Sequence, residues 1–152
     1  CAILGNELIL QHTEDIARTQ SKYKNMLTKN PNNTEALYWF GSYAQRLQKF
    51  DIAIAFFAKI IELDEHHYAA TLQRGRTYTM QKKHQLAIAD FTKALTIHPK
   101  SLEAFYSRGV AQRRRVQGGA RRWHGGRHRV DARGDGHEHQ RQVYFWLLTS
   151  DF

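Results

Sequence analysis

Cysteine is almost missing: Cys1 is the only one in 152 residues, so no disulfide can form within the chain. A lone cysteine fits a reducing, intracellular and most simply cytoplasmic setting. The chain opens on Cys1 and not on Met, which reads as a fragment or a processed product and leaves a lost signal peptide open. Proline occurs only as Pro31 and Pro99, so long stretches are free of the residue that most strongly breaks a helix. Long apolar runs are absent too. The longest near the end, Val143 to Leu148, has six residues against the roughly 20 that a membrane span needs, and no membrane partner is expected. No nucleophile–base pairing, glycine-rich phosphate loop or metal-ligand spacing is present. The Ser, Asp and His residues are scattered over capping and surface positions. The expectation is a chain without catalysis and without a cofactor.

Charge is abundant but uneven. The net charge is +9. Residues 1–112 hold 14 Lys and Arg and 10 Asp and Glu, whereas residues 113–152 hold 9 Arg, no Lys and 4 acids. A basic, acid-poor end can bind nucleic acid through counterion release or can be a solvated tail.

What the chain does have is a repeat. Residues 52–63, Ile-Ala-Ile-Ala-Phe-Phe-Ala-Lys-Ile-Ile-Glu-Leu, return 34 positions later at 86–97 as Leu-Ala-Ile-Ala-Asp-Phe-Thr-Lys-Ala-Leu-Thr-Ile. Self-similarity at a period of this size indicates stacked supersecondary units. Gly41, Gly75 and Gly109 keep the same spacing. Glycine inside a helix costs about 1 kcal/mol relative to alanine, so its recurrence points to close approach by a second helix. Ala53 and Ala87 are the expected counterparts of the glycines, with Phe57 and Phe91 filling the wedge between neighbouring units.

Residues 2–29 read as helical with a break at Gln11-His12-Thr13-Glu14, where Thr13 is a plausible N-cap. Asn30-Pro31-Asn32-Asn33 stops that segment, and Asn32 followed by Glu35 has capping-box spacing. Helices are expected at 34–48, 50–62, 68–81, 84–97 and 102–114. Ala36, Leu37, Phe40, Ala44 and Leu47 form one apolar face of the first of these. The second is apolar nearly all round and must be covered on more than one side.

These residues resemble the tetratricopeptide repeat family. Counting from Thr34, Tyr68 and Leu102, the signature glycine at the eighth position is Gly41, Gly75 and Gly109. The aromatic at the eleventh is matched by Tyr78, with Ala44 and Gln112 in the other two. The twentieth is Ala53 and Ala87, and the twenty-fourth is Phe57 and Phe91. The small residue at the twenty-seventh is Ala94, with Ile60 in the preceding unit, and the proline at the thirty-second is Pro99, with Glu65 before it. The resemblance implies an all-α fold, a right-handed superhelix of antiparallel helix pairs. It divides the chain into a degenerate helix pair at 1–33, repeats at 34–67 and 68–101, and the first helix of a truncated repeat at 102–114. An irregular or disordered tail follows at 115–152.

The resemblance also implies a concave groove that binds a peptide or helix of a partner protein. Its positions are Glu35, Tyr38, Ser42, Gln45 and Arg46, then Ala69, Leu72, Arg76, Thr79 and Met80, then Glu103, Tyr106, Val110, Arg113 and Arg114. One subclass of the family grips the C-terminal carboxylate of chaperones with Lys, Asn and Arg. The matching sites here are Tyr38, Ser42, Gln73, Glu103 and Ser107. None is cationic and Glu103 would repel a carboxylate, so a chaperone tail is not the expected partner. The uncovered end of the last helix should give weak self-association.

After Arg114 the repeat signature collapses. The next small, aromatic and proline positions hold Arg121, Gly125 and Arg133. Three readings stay open. Arg113-Arg114-Arg115, Arg121-Arg122-Trp123 and Arg127-His128-Arg129 interleave charge with an aromatic, as a nucleic-acid arm would. His124, His128, His137 and His139 are a candidate metal tract without a defined ligand geometry. An abrupt composition switch inside a repeat also fits a shifted reading frame or gene-model error, and this reading is preferred, so nucleic acid is not the expected partner. The leading expectation is therefore a non-catalytic interaction scaffold. Its alternatives are binding of nucleic acid or an acidic surface by the tail, and a non-catalytic piece of a larger enzyme or complex.

Overall fold

The structure, a computed structural model, describes residues 2–120, and side-chain surroundings for 12–119. Six α-helices and no strand occur among the described residues: α1 (Ala2–Lys29), α2 (Thr34–Arg46), α3 (Phe50–Leu63), α4 (Tyr68–Met80), α5 (His84–Ile97) and α6 (Leu102–Ala120). Each of α2 to α6 packs on the helix before it in the chain, and α2 also touches α4 and α4 touches α6. This is an αα-hairpin solenoid, in which each unit leans only on its neighbours. None of the described helices is long and apolar enough to cross a membrane.

Local chemistry sets the boundaries. Asn33 Oδ1 accepts from the Ala36 amide at 2.9 Å, so Asn33 is the N-cap of α2. Asn32, expected in that role, instead donates its own amide to Asn30 Oδ1 at 3.0 Å. His67 Nδ1 accepts from the Ala70 amide at 3.1 Å and caps α4. Ser101 Oγ accepts from the Ala104 amide at 3.1 Å and shares a 2.6 Å hydrogen bond with the Tyr68 hydroxyl, which ties the start of α6 to α4. Both turns inside the repeats close in the same way. The Lys49 amide donates to Ala44 and the Gln48 amide to Gln45, and Lys83 and Lys82 repeat this onto Tyr78 and Thr79. This paired bonding is the Schellman motif, which places a residue in the left-handed region where glycine is favoured. Here Gln48 (φ 60°) and Lys82 (φ 61°) occupy it.

Two of the three recurring glycines, Gly41 and Gly75, do what their spacing predicts, against a different counterpart. A Cβ on Gly41 would lie 2.8 Å from Cε1 of Phe57, and one on Gly75 would lie 2.8 Å from Cε1 of Phe91. The rings of Phe57 and Phe91, not the methyls of Ala53 and Ala87, are the atoms nearest the glycines. Phe57, Phe91, Ala53 and Ala87 are all fully buried. The wide ring needs the missing side chain opposite, while the alanines thin α3 and α5 so that they can seat deeply.

One buried pair differs between the repeats. Phe40 of α2 stacks on Phe56 of α3 with centroids 5.7 Å apart. One period on, Arg74 of α4 clamps Asp90 of α5 through Nε at 2.8 Å and a terminal nitrogen at 2.7 Å. Burial alone would lower the Arg74 pKa, but the bonds to Asp90 and its charge outweigh that and hold it above the ordinary arginine value.

Two expectations at the ends are corrected. α1 is one uninterrupted helix, so 1–33 is not a helix pair and Thr13 does not begin a new helix. Between Asn6 and Lys29 there is neither Gly nor Pro, and a helix once nucleated gains a hydrogen bond with each residue added. Tyr23, Met26 and Leu27 near its end pack on the core under α2 and α3. At the other end α6 continues through Arg115, Val116 and Gln117 to Ala120, six residues past the expected stop. Those residues carry ordinary helix propensity, and Gly118 and Gly119 come only in the last turn. The tail readings on residues 121–152, with Trp123, His124, His128, His137 and His139, lie outside the described residues.

Candidate peptide-binding groove

The first helices of the units, α2, α4 and α6, line up beside one another. Groove positions recur along them at spacings of three and four, so their side chains share one face. A pocket of about 380 Å³ opens there, lined by Gln45 of α2, Gln73, Arg76, Thr79 and Met80 of α4, Tyr106, Ser107, Val110 and Arg114 of α6, and the ring of Phe91. Seven of the residues expected in the groove thus meet in one concavity: Gln45, Arg76, Thr79, Met80, Tyr106, Val110 and Arg114.

Its polar groups are set from below. Gln45 Nε2 donates to Thr77 Oγ1 at 3.2 Å and approaches Met80 Sδ at 4.0 Å. Thr79 donates its hydroxyl proton to the Gly75 carbonyl at 3.0 Å, so it offers the pocket only acceptor lone pairs. Arg76 forms an ion pair with Glu103 across α4 and α6. Arg114 also lines the pocket, and its charge acts on His84 at the start of α5. Burial is the main reason the His84 pKa is lowered, helped by the charges of Arg114 and Lys82. The apolar part is Met80, 53% exposed, Tyr106, 73% exposed, with Val110 and the Phe91 edge beneath. Large exposed apolar and aromatic groups next to cations are the composition found at binding hot spots.

The remaining expected positions divide. Tyr38 and Ser42 are half-buried, and the Tyr38 ring meets Phe57 edge-on with centroids 5.8 Å apart and His67 with centroids 6.4 Å apart. Arg46 and Arg113 are exposed. None of these four lines the pocket. Leu72 is corrected outright: it is 4% exposed and packs with Ala87, Phe91 and Ala104. The turn of α4 that carries it faces α5 and α6, so its side chain belongs to the core.

From sequence, Gln73 and Ser107 stand only at carboxylate-gripping positions and Phe91 only at a scaffold position. All three line the pocket. A signal for the first two was in the sequence: they are 34 apart and each lies three residues before a groove residue, Arg76 or Val110, on the same helix face.

Residues 34–67 and 69–101 match the family model described as tetratricopeptide repeat. No curated protein matches the chain in sequence. Among solved structures, the first such domain of human RPAP3 is similar at 22% identity and a TM-score of 0.64, covering 76% of this chain and 90% of that one. A structure of the first domain of Spaghetti (RPAP3), bound to the HSP90 peptide SRMEEVD, gives 22% identity and 0.58 over 72% and 92%. The corresponding domain of Arabidopsis OM64 gives 19% and 0.60 over 68% and 85%. At these identities the likeness is one of fold.

Proposed function

We propose, on the premise that residues 34–101 of this chain are tetratricopeptide repeats, that it is a non-catalytic scaffold holding a partner peptide in the groove of α2, α4 and α6. Repeats of this family are protein–protein interaction modules. The observation that carries the reading is the pocket itself, where Met80, Tyr106 and Val110 stand open between Gln45, Gln73, Arg76, Ser107 and Arg114. An apolar peptide side chain would seat on the Phe91 edge. The amides and Ser107 would bond its backbone, since every buried polar group must find a partner.

The chemistry does not favour a chaperone tail, although Spaghetti (RPAP3) binds one. Tyr38, Ser42, Gln73, Glu103 and Ser107 supply no cation, and of the two guanidiniums that line the pocket Arg76 is paired with Glu103. The test is selection of peptides from a random display library against the whole chain, followed by titration. Tyr106→Ala and Arg76→Ala should each weaken the selected peptide about tenfold or more, and SRMEEVD should fail to compete. Equal binding by both variants would refute the groove, and competition by SRMEEVD would refute the exclusion.

A further inference from the structure

The outer edge of α6 repeats an interface whose second half no described residue supplies. In the first two repeats the face that meets the second helix is closed. Leu37 of α2 is 3% exposed and Thr71 of α4 is fully buried. Their equivalent one period on is Phe105, 48% exposed, with Leu102 beside it at 83%. Gly41 and Gly75 each abut a phenylalanine ring, whereas a Cβ at Gly109 would meet no described atom within 4 Å. Arg74 is clamped by Asp90; its equivalent Arg108 lies 5.3 Å from the Phe105 ring, and no carboxylate among the described residues pairs with it. The sequence that follows α6 does not repeat the residues that close the first two units. The residues one period after Ala87, Asp90 and Phe91 are Arg121, His124 and Gly125.

We propose that this edge docks a helix from a partner protein, laid antiparallel on α6 as α5 lies on α4, and bearing the pattern Ala-x-x-Asp-Phe. The aromatic ring enters the gap over Gly109, the carboxylate before it takes the Arg108 guanidinium, and the alanine one turn earlier permits close approach. Two features select this occupant over an unspecified apolar one. The edge continues an interface already built twice in the same chain, and Arg108 requires an anion at one defined position. The surface is separate from the pocket of Tyr106 and Val110, which lies on the other side of α6.

The probe is a labelled peptide with the α5 sequence, Lys83 to Pro99, titrated onto the whole chain by fluorescence anisotropy. Saturable binding is expected, weakened about tenfold or more by Phe91→Ala or Asp90→Lys in the peptide and by Arg108→Glu in the chain. The Asp90→Lys peptide should regain affinity for the Arg108→Glu chain, which a loss of fold could not produce. Gly109→Leu, at an open helix position, should keep the helical circular dichroism and block the peptide. Absence of saturable binding, or binding indifferent to Arg108→Glu and Gly109→Leu, would overturn the proposal. So would a dimer of the chain that excludes the peptide and is abolished by those two substitutions, since the occupant would then be a second copy.

Discussion

Replacing each recurring glycine by alanine separates the cost of glycine in a helix from the need for space above it. Without steric effects, each of Gly41→Ala, Gly75→Ala and Gly109→Ala would stabilise its helix by about 1 kcal/mol. At Gly41 the new methyl would stand 2.8, 3.0 and 3.1 Å from three atoms of the Phe57 ring, which is fully buried and edged by Tyr38. The ring must retreat by several tenths of an ångström in a packed core, and overpacking of this kind costs about 1–3 kcal/mol. Gly75→Ala meets the Phe91 ring at 2.8 Å and also Cβ of Asp90 at 3.2 Å. That atom is anchored to the α5 backbone and to the Arg74 clamp, so the strain there should be the larger. The expected net effects are a loss of up to about 2 kcal/mol at Gly75, a smaller loss at Gly41, and a gain of about 0.5–1 kcal/mol at Gly109, where nothing stands in the way. Urea denaturation followed by far-ultraviolet circular dichroism reads all three, provided the slopes match. A gain at all three positions, or a loss at Gly109 equal to the others, would refute the assignment of Phe57 and Phe91 to the glycines.

Three further outcomes follow from the same interfaces. Asp90→Ala strands a partly buried guanidinium and should cost about 3 kcal/mol, while Arg74→Phe with Asp90→Phe, which copies the Phe40–Phe56 stack, should be neutral or stabilising; thermal melts compare them. Gln48→Gly and Lys82→Gly relieve left-handed backbone at the two Schellman turns and should each stabilise by about 0.5–1 kcal/mol in the same melts. The His84 pKa is lowered in the fold from its ordinary 6.5, so the unfolded chain takes up that proton first as pH falls. Its contribution is complete above pH 6.5 and is lost as pH falls below it. Stability measured across that range should depend less on pH in His84→Gln than in the unaltered chain.

Most of the solenoid was legible because its determinants are local and repeated. Asn30-Pro31, Ser101 and the glycine period mark the helix ends and faces without tertiary information. What sequence reasoning missed depends on neighbours in space. Asn33 caps α2 in place of Asn32 because only its side chain reaches the Ala36 amide. Leu72 has the spacing of a groove residue, but the packing of α5 and α6 closes over it. The exchange of a Phe40–Phe56 stack for an Arg74–Asp90 clamp is visible in the sequence only after the two repeats are superposed. α6 runs past the change in composition at Arg114, which marks the end of the repeat signature and not of the helix. Helix propagation needs only tolerable residues, not a repeat signature.

A binding face formed by α2, α4 and α6, with α3 and α5 as scaffold, has one direct test. Chemical-shift mapping of the isotope-labelled whole chain, titrated with a library-selected peptide, tests it directly. Perturbations are expected at Gln45, Gln73, Arg76, Met80, Tyr106 and Val110, with Lys59 and Glu62 of α3 and Thr92 and Thr96 of α5 unmoved. Perturbations centred on those four residues, with the pocket silent, would contradict it.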